Sequence, residues 1–325
     1  MRTDAEELIG AVLDGDRRAV ARAISMVEDQ LPGKVELLQG LYTRGNHTYI
    51  CGVTGPPGAG KSTLVDKIAG YARQEGKQVG IVCVDPTSPF SGGALLGDRI
   101  RMPDLSTDPG VFIRSMATRG SRGGLARATR EVVILLGATG VDQVLLETVG
   151  VGQIELDIAE TADTTMVVLV PESGDGIQAM KAGLMEIGDI FVINKADRDG
   201  AEGLKIELES VLAMREDKEW VPPVLKTMAN TGEGTTELVE TVQEHRSFLD
   251  RSGEGERRRR QRLAAYVMEI VLETLTRRLW RESGLQEQLD GRLDDVMEGR
   301  IDPFTVAEEI LTAGGMPASL EGEDA

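Results

Sequence analysis

The stretch Gly55-Pro56-Pro57-Gly58-Ala59-Gly60-Lys61-Ser62-Thr63 decides the fold of this chain. It matches the pattern of a phosphate-binding loop: a glycine, four further residues, then Gly-Lys-Ser/Thr. Apolar residues 49–54 before it predict a buried strand, and residues 64–69 after it begin a helix. A helix N-terminus turns backbone N–H groups toward an anion, so this strand–loop–helix order predicts binding of a nucleoside triphosphate.

Two side chains of this loop have specific expected roles. Lys61 is expected to reach the β- and γ-phosphates, and the Ser62 hydroxyl is expected to ligate Mg²⁺. Gly55 and Gly60 allow the backbone torsions and the close approach that phosphates need. A glycine-rich turn with an incidental lysine would not need the flanking strand and helix.

Composition narrows the class of protein. The 325 residues include 36 Lys and Arg against 54 Asp and Glu, a net charge of −18. This charge argues against nucleic acid or an anionic membrane surface as the main partner. No run of about 18 apolar residues predicts a membrane span, and the acidic start resembles no targeting segment. Cys51 and Cys83 fall in predicted buried strands, as expected for free thiols in a cytoplasmic protein.

Strands alternate with helices from residue 46 to residue 248, which predicts an α/β fold with a mostly parallel P-loop NTPase sheet and helices on both faces. An N-terminal helical segment, 1–45, precedes this domain, and a C-terminal helical arm, 249–325, follows it. Ligand groups are expected at the carboxyl ends of the strands. The predicted strands are 49–54, 78–84, 110–114, 142–147, 164–170, 189–194 and 223–226.

The C-terminal arm is predicted to mediate homodimerisation. It carries an apolar stripe at helical spacing, formed by Leu263, Val267, Ile270, Leu275 and Leu279. Such a face must be buried against the protein's own domain or against a second copy, and we expect the second. The basic run 257–260 is expected to be a solvated face. Asp302-Pro303 predicts an N-cap and the first position of a last helix.

The base specificity is predicted from Asn194-Lys195-Ala196-Asp197, which follows a strand. The Asp197 carboxylate can accept hydrogen bonds from the N1–H and the exocyclic amine of guanine, a pair that adenine does not offer. Thr227, Met228 and Ala229 follow the last predicted strand and fit a companion loop that touches guanine through its backbone. The predicted ligands are therefore GTP and GDP rather than ATP.

Acidic residues at other strand ends predict the hydrolytic apparatus. In Glu147-Thr148-Val149-Gly150, the Gly150 N–H can bond the γ-phosphate, and Glu147 can act on metal-bound or attacking water. Asp85 ends the strand after the phosphate loop, and Asp98 follows in Gly97-Asp98-Arg99. Several carboxylates beside a phosphate loop suit Mg²⁺, although N-caps and surface charge are the alternative. Which acid ligates the metal and which orients water stays open.

Together these motifs resemble the methylmalonyl-CoA mutase-associated GTPases, the MeaB or ArgK family of the SIMIBI class of dimerising NTPases. The resemblance covers residues 35–245 closely and the flanking helices more loosely. It is carried by residues 84–88, 92–98, 147–153, 174–183, 186–189 and 194–197. It implies a homodimeric GTPase that assists an adenosylcobalamin-dependent acyl-CoA mutase, gates cofactor loading and protects the loaded mutase from inactivation.

The resemblance also implies roles for particular residues. Asp85, Asp98 and Glu147 would belong to the Mg²⁺ and hydrolysis apparatus. A third switch loop would relay the nucleotide state to the mutase through Asp175, Gln178 and Lys181. Ile154 and Gly176 stand where relatives often carry a small polar residue and an acid. No pattern supplies an obvious arginine finger, so we expect slow intrinsic turnover that the mutase stimulates.

Three other classes of protein compete with this interpretation. A nickel metallochaperone GTPase would share the fold but needs His-rich or paired-Cys ligands, whereas His47 and His245 are isolated and are expected to be structural. A P-loop kinase needs a phospho-acceptor pocket that no segment indicates. A nucleic-acid-binding GTPase is disfavoured by the charge. The one local basic exception, which we expect to meet phosphates or a partner, comprises Arg114, Arg119, Arg122, Arg127 and Arg130.

Overall fold

The computed structural model describes residues 2–45, 48–85, 102, 105–117, 124–148, 158–172, 183–214, 219–282 and 284–315. The chain divides into two compact units, 1–259 and 260–325. Within the described residues, no helix is long and apolar enough to cross a membrane.

The first unit is built on a parallel sheet, as the sequence predicts. Its seven described strands lie in the order β3-β2-β4-β1-β5-β6-β7, and every pairing is parallel. They are β1 Tyr49–Thr54, β2 Val79–Asp85, β3 Val111–Ala117, β4 Gln143–Thr148, β5 Thr164–Leu169, β6 Ile190–Asn194 and β7 Val224–Thr227. Strand β3 is longer than predicted because it pairs with β2 along its whole length.

The described helices follow the predicted pattern of helical segments before, between and after the strands. They are α1 Arg2–Leu13, α2 Arg17–Glu28, α3 Lys34–Gly45, α4 Lys61–Gln74, α5 Gly124–Ala138, α6 Leu184–Ile187, α7 Ala201–Ala213, α8 Thr235–Ser252, α9 Glu254–Arg277, α10 Leu285–Met297 and α11 Pro303–Ala313. A 3-10 turn spans Leu105–Thr107, and a π-helical turn, Arg278–Glu282, follows α9.

Helices cover both faces of the sheet. On one face, Leu64 of α4 and Leu238 of α8 pack against Cys51 and Leu145. On the other face, α1, α2, α3 and α5 share a core with β2 and β4, while α6 and α7 share one with β5 and β6. Burial on both faces explains why strands such as β5 are apolar without alternation. Cys51 and Cys83 are buried free thiols, as predicted.

The N-terminal helices are fastened to α5 by buried charges. Lys34 of α3 donates to both carboxylate oxygens of Glu131 on α5, at 2.9 and 2.8 Å, and Arg127 donates to the same carboxylate. Arg114 of β3 forms an ion pair with Glu28 of α2. The expectation that Arg114 and Arg127 meet phosphates or a partner is therefore wrong, because carboxylates of their own chain neutralise them.

A buried polar network joins α8 and the start of α9 to the amino edge of the sheet. Arg258 Nη1 lies 3.0 Å from Asp189 Oδ1, just before β6. The fully buried His245 has its Nδ1 2.7 Å from Thr164 Oγ1 and its Nε2 3.5 Å from Asp189 Oδ1. Trp220 Nε1 donates to the carbonyl of Asp189 at 2.8 Å. This network supports the structural role expected for His245; His47 lies outside the described residues.

The basic run beside this network is not uniform. Arg257, Arg259 and Arg260 are exposed, as expected for a solvated face. For Arg258 that expectation is wrong, because its guanidinium is held by Asp189 and by Glu254, 2.8 Å from Arg258 Nε. Arginines within one turn of the helix therefore have very different surroundings, which the run of four arginines in the sequence does not reveal.

The second unit has a small core of its own. Leu285, Val306 and Ile310 form it, with Leu279 packed against them. Asp302 caps α11 by accepting from two backbone N–H groups, and Pro303 takes the first helical position, as predicted. The apolar stripe of α9 is different. Three of its members, Leu263, Val267 and Leu275, are exposed, and so are the neighbouring Met268, Val271 and Leu272.

Candidate functional site

The phosphate loop occupies the carboxyl end of the central strand β1, where only glycine fits at two positions. Gly55 has φ +136°, and a Cβ there would lie 2.0 Å from the carbonyl oxygen of Val168. Gly60 has φ +89°, and a Cβ there would lie 2.2 Å from Asn194 Nδ2. The loop therefore packs against β5 and β6 so closely that side chains are excluded.

Helix α4 begins at Lys61, the residue that the sequence assigns to the phosphates. Lys61 is buried, and its Nζ donates to the carbonyls of Gly55 at 2.7 Å and Pro56 at 2.9 Å. The N-cap, Gly60, makes no side-chain hydrogen bond to the first turn. An ammonium group, a helix N-terminus and backbone N–H groups thus stand at one loop, which is the chemistry that binds phosphate. Pro57, Gly58 and Thr63 are exposed at the rim.

A carboxylate lies against the start of this helix. Glu147 is almost fully buried, and its Oε1 accepts a hydrogen bond of 2.6 Å from Ser62 Oγ. Its Oε2 accepts a weaker bond from the Cys83 thiol, with a sulfur–oxygen distance of 3.7 Å. Strand register produces this contact, since Cys83 on β2 pairs with Glu147 on β4. The predicted pair Ser62 and Glu147 is thus brought together from distant parts of the sequence.

This pair fits the expected Mg²⁺. A hydroxyl and a carboxylate are hard oxygen ligands, and Mg²⁺ beside a nucleotide takes one or two protein ligands and completes its shell with phosphate and water. Within the described residues, no group of three or more His, Cys, Asp or Glu is placed to hold a metal ion.

The remaining predicted hydrolytic, switch and basic residues are described only in part. Asp85 ends β2 in register with Ala117, at the carboxyl edge of the sheet, but its side chain is outside the described part. Seven further predicted residues lie wholly outside the described ranges: Asp98, Arg119, Arg122, Gly150, Asp175, Gln178 and Lys181. Their roles stay predictions.

Asn194, at the end of β6, ties the predicted guanine motif to the phosphate loop. Its side-chain amide nitrogen donates to the carbonyl of Ala59 at 2.8 Å. Its amide oxygen accepts from Thr227 Oγ1 and from the backbone N–H of Ala229, both at 3.1 Å. Lys195 Nζ donates to the carbonyl of Gly58 at 2.8 Å. One buried side chain therefore holds three loops together at the carboxyl edge.

The predicted companion loop lies beside this motif. The backbone N–H of Ala196 donates to the carbonyl of Thr227 at 3.1 Å, and that of Met228 donates to the carbonyl of Glu233 at 2.9 Å. Asp197 is exposed at the motif's end, where a base could reach its carboxylate. Lys195 has φ +56°, a left-handed conformation that is uncommon for a non-glycine residue.

Sequence reasoning missed two contacts in this region. One is the Cys83–Glu147 bond, and the other is a buried hydroxyl pair, Thr54 and Thr148, at 2.9 Å. Both depend on which strands are neighbours. The only local signal is a small polar residue near the carboxyl end of each strand.

Comparison with known proteins gives concordant findings. The family model "Methylmalonyl Co-A mutase-associated GTPase MeaB" matches residues 20–284. A Pyrococcus abyssi protein, named as a candidate GTPase, is 49% identical over 311 residues, which is 94% of this chain and 95% of the relative. The mouse protein "Methylmalonic aciduria type A homolog, mitochondrial" is 33% identical over 95% of this chain and 79% of its own length.

A solved structure supports the same fold. The crystal structure of a protein called LAO/AO transport system kinase superposes with a TM-score of 0.72 at 27% identity. The match covers 96% of this chain and 98% of that one. Its extent takes in the helices before and after the sheet as well as the sheet itself.

Proposed function

The chain belongs to the methylmalonyl-CoA mutase-associated GTPase family, MeaB, and from this we propose that it is the GTP-dependent chaperone of an adenosylcobalamin-dependent acyl-CoA mutase. It is a P-loop GTPase and binds guanine nucleotide. The observation that carries the proposal is the family match over residues 20–284. In this role the protein gates loading of the cobalamin cofactor and protects the loaded mutase from inactivation.

The nucleotide end of the mechanism follows from the carboxyl edge of the sheet. Lys61 exchanges its loop carbonyls for β- and γ-phosphate oxygens, and the first N–H groups of α4 receive the remaining phosphate charge. Asp197 accepts the paired donors of guanine and leaves adenine without a partner. Asn194 keeps the base-binding and phosphate-binding loops at a constant separation through its bond to Ala59.

The hydrolytic end uses the acids beside Ser62. Ser62 and Glu147 would hold Mg²⁺, together with Asp85 and Asp98, and the metal supplies charge neutralisation at the phosphates. Alternatively, Glu147 would not ligate the metal, and its carboxylate would orient the attacking water. Gly150 would bond the γ-phosphate. The sequence pattern supplies no obvious arginine finger for that phosphate, so intrinsic turnover is slow and the partner raises it.

Two surfaces would contact other proteins, one the mutase and the other a second copy of the chain. The segment with Asp175, Gln178 and Lys181 relays the nucleotide state to the mutase. Helix α9 dimerises through its apolar stripe, where Leu263, Val267 and Leu275 are 44, 52 and 45% exposed. Burial of these apolar side chains against a second copy of the helix would stabilise the dimer by about 25 cal/mol per Å² of apolar surface removed from water.

The experiment that tests this function is single-turnover GTP hydrolysis with and without a purified cobalamin-dependent acyl-CoA mutase from the same cell. We expect slow hydrolysis alone and marked stimulation with the mutase. Reciprocity then requires the mutase to bind the GTP and GDP forms with different affinity, which a pull-down with each form measures. Fast hydrolysis alone, with no response to the mutase, would contradict the chaperone role and leave the GTPase intact.

A further inference from the structure

A buried hydroxyl pair joins the ends of the two central strands. Thr148 Oγ1, on the last residue of β4, donates to Thr54 Oγ1, on the last residue of β1, at 2.9 Å. Both side chains are nearly inaccessible to water, with exposed fractions of 3% and 0%. Burial removes water as an alternative partner, so loss of this bond would leave the remaining hydroxyl without one.

Each threonine of the pair directly precedes a segment with a predicted role at the phosphates. Thr54 immediately precedes Gly55, the first residue of the phosphate loop. Thr148 immediately precedes the segment that begins at Val149 and contains Gly150. Strands β1 and β4 pair in parallel register with Val53 opposite Glu147. The next residue on each strand is therefore the threonine, and the two hydroxyls meet.

The pair and the Glu147–Ser62 contact act on opposite faces of the sheet. Successive side chains of a strand point to opposite faces, so Glu147 and Thr148 diverge. Glu147 reaches Ser62 on the α4 face, and Thr148 reaches Thr54 on the other. The end of β4 is thus tied to the phosphate loop from both sides, before and after the loop in sequence.

We propose that Thr148 is a positioning residue for GTP hydrolysis: its bond to Thr54 holds the end of β4, which carries Glu147, against the start of the phosphate loop. The proposal rests on the proposed GTPase function and deepens it. Loss of the bond lets the end of β4, with Glu147, shift relative to the loop. Binding of the β-phosphate, which the loop itself performs, is then retained, while hydrolysis and preference for GTP over GDP fall.

The test is a set of Thr→Val variants, which keep the shape and remove the hydroxyl. Thr148→Val and Thr54→Val are each expected to lower kcat about tenfold and to lower the ratio of GTP to GDP affinity, with GDP affinity within about twofold of the parent. The double variant should lose no more than either single one, because the bond is shared. Thr148→Ser keeps the hydroxyl and should restore kcat.

Thr129→Val is the matched control. Thr129 is also buried, on α5, but its hydroxyl has no hydrogen-bond partner among the described residues, so its replacement should leave kcat and the affinity ratio unchanged. Thermal unfolding verifies that each variant is folded; if Thr148→Val does not fold, Thr54→Val gives the same readouts.

Unchanged kcat and affinity ratio in the folded variants, or losses that add independently in the double variant, would overturn the positioning role. Neither result affects the parent chain's own GTP hydrolysis. A parent chain that neither binds nor hydrolyses GTP would instead refute the proposed function, and the positioning role with it.

Discussion

The two edges of the parallel sheet bury polar groups for different purposes. At the carboxyl edge, Lys61 donates to backbone carbonyls, and Ser62 bonds a carboxylate from another strand. Phosphate oxygens and a metal ion can replace such contacts. At the amino edge, Arg258 and Asp189 form an ion pair. Contacts that a ligand can replace are typical of a binding site, whereas a buried ion pair between two elements is typical of a structural contact.

Burial shifts the pKa values of two side chains near the amino edge, Cys51 and His245. Desolvation, helped by the Asp189 and Asp163 carboxylates, raises the pKa of the Cys51 thiol to about 12. Desolvation lowers the pKa of His245 below its usual 6.5, against the opposing pull of Asp189. Both groups are therefore neutral at physiological pH. The charged Arg258–Asp189 pair fastens the start of α9 to the sheet.

The largest expected effect is loss of function at the carboxyl edge. Lys61→Ala removes the cation that meets the β- and γ-phosphates and should reduce single-turnover GTP hydrolysis by about 10²- to 10³-fold. Thermal unfolding verifies that the variant is folded. Lys67→Ala, in the same helix but away from the loop, is the control. Turnover equal in both variants would mean that this loop is not the site.

The next effect is loss of stability at the amino edge. Asp189→Asn removes one of the two carboxylates that pair with Arg258 and should reduce the free energy of unfolding by about 2–3 kcal/mol, because a partly buried guanidinium keeps only Glu254 as a counter-ion. Urea denaturation measures this change, with Asp250→Asn, an exposed acid of α8, as control. GTP affinity of the folded variant should stay within about twofold, and a larger loss would break the division between the edges.

A smaller effect concerns which base is bound. Asp197→Asn should weaken the preference for GTP over ATP by about ten- to a hundredfold, because the amide cannot accept both guanine donors. Competition of each nucleotide against labelled GDP gives the ratio. Asp199→Asn, two residues further and also exposed, should leave the preference intact. Equal competition by ATP and GTP in the unmodified protein would contradict the guanine assignment.

The smallest expected effect is a pH dependence of stability from His245. The pKa of His245 is lower in the folded protein than the usual 6.5, so the unfolded chain binds more protons below pH 6.5. The stability that neutral His245 contributes is therefore fully present above pH 6.5 and decreases as the pH falls below it. The slope contributed is at most about 1.4 kcal/mol per pH unit. Urea midpoints between pH 5 and 8 should depend less on pH in His245→Gln. Parallel profiles for the two proteins would assign the dependence to the other groups that face His245, which are Asp163, Asp189, Glu254 and Arg258.

The parts of this protein that the sequence predicted are those with local causes. The phosphate loop follows from glycine torsions and a helix N-terminus, the strands from apolar runs between turns, and the cap at Asp302 from a single Asp-Pro step. The guanine motif was recognisable because it follows a strand at the correct edge. These features need only neighbours in sequence, so their physics can be worked out from the letters.

Tertiary structure alone decided the contacts between distant segments. Strand order placed Cys83 beside Glu147, and register set Thr54 against Thr148. The same cause made Arg258 a buried counter-ion within a run that predicts a solvated face. Order and register minimise exposed apolar surface over the whole sheet, a sum over all its strands and helices, and no local pattern in the sequence contains that sum.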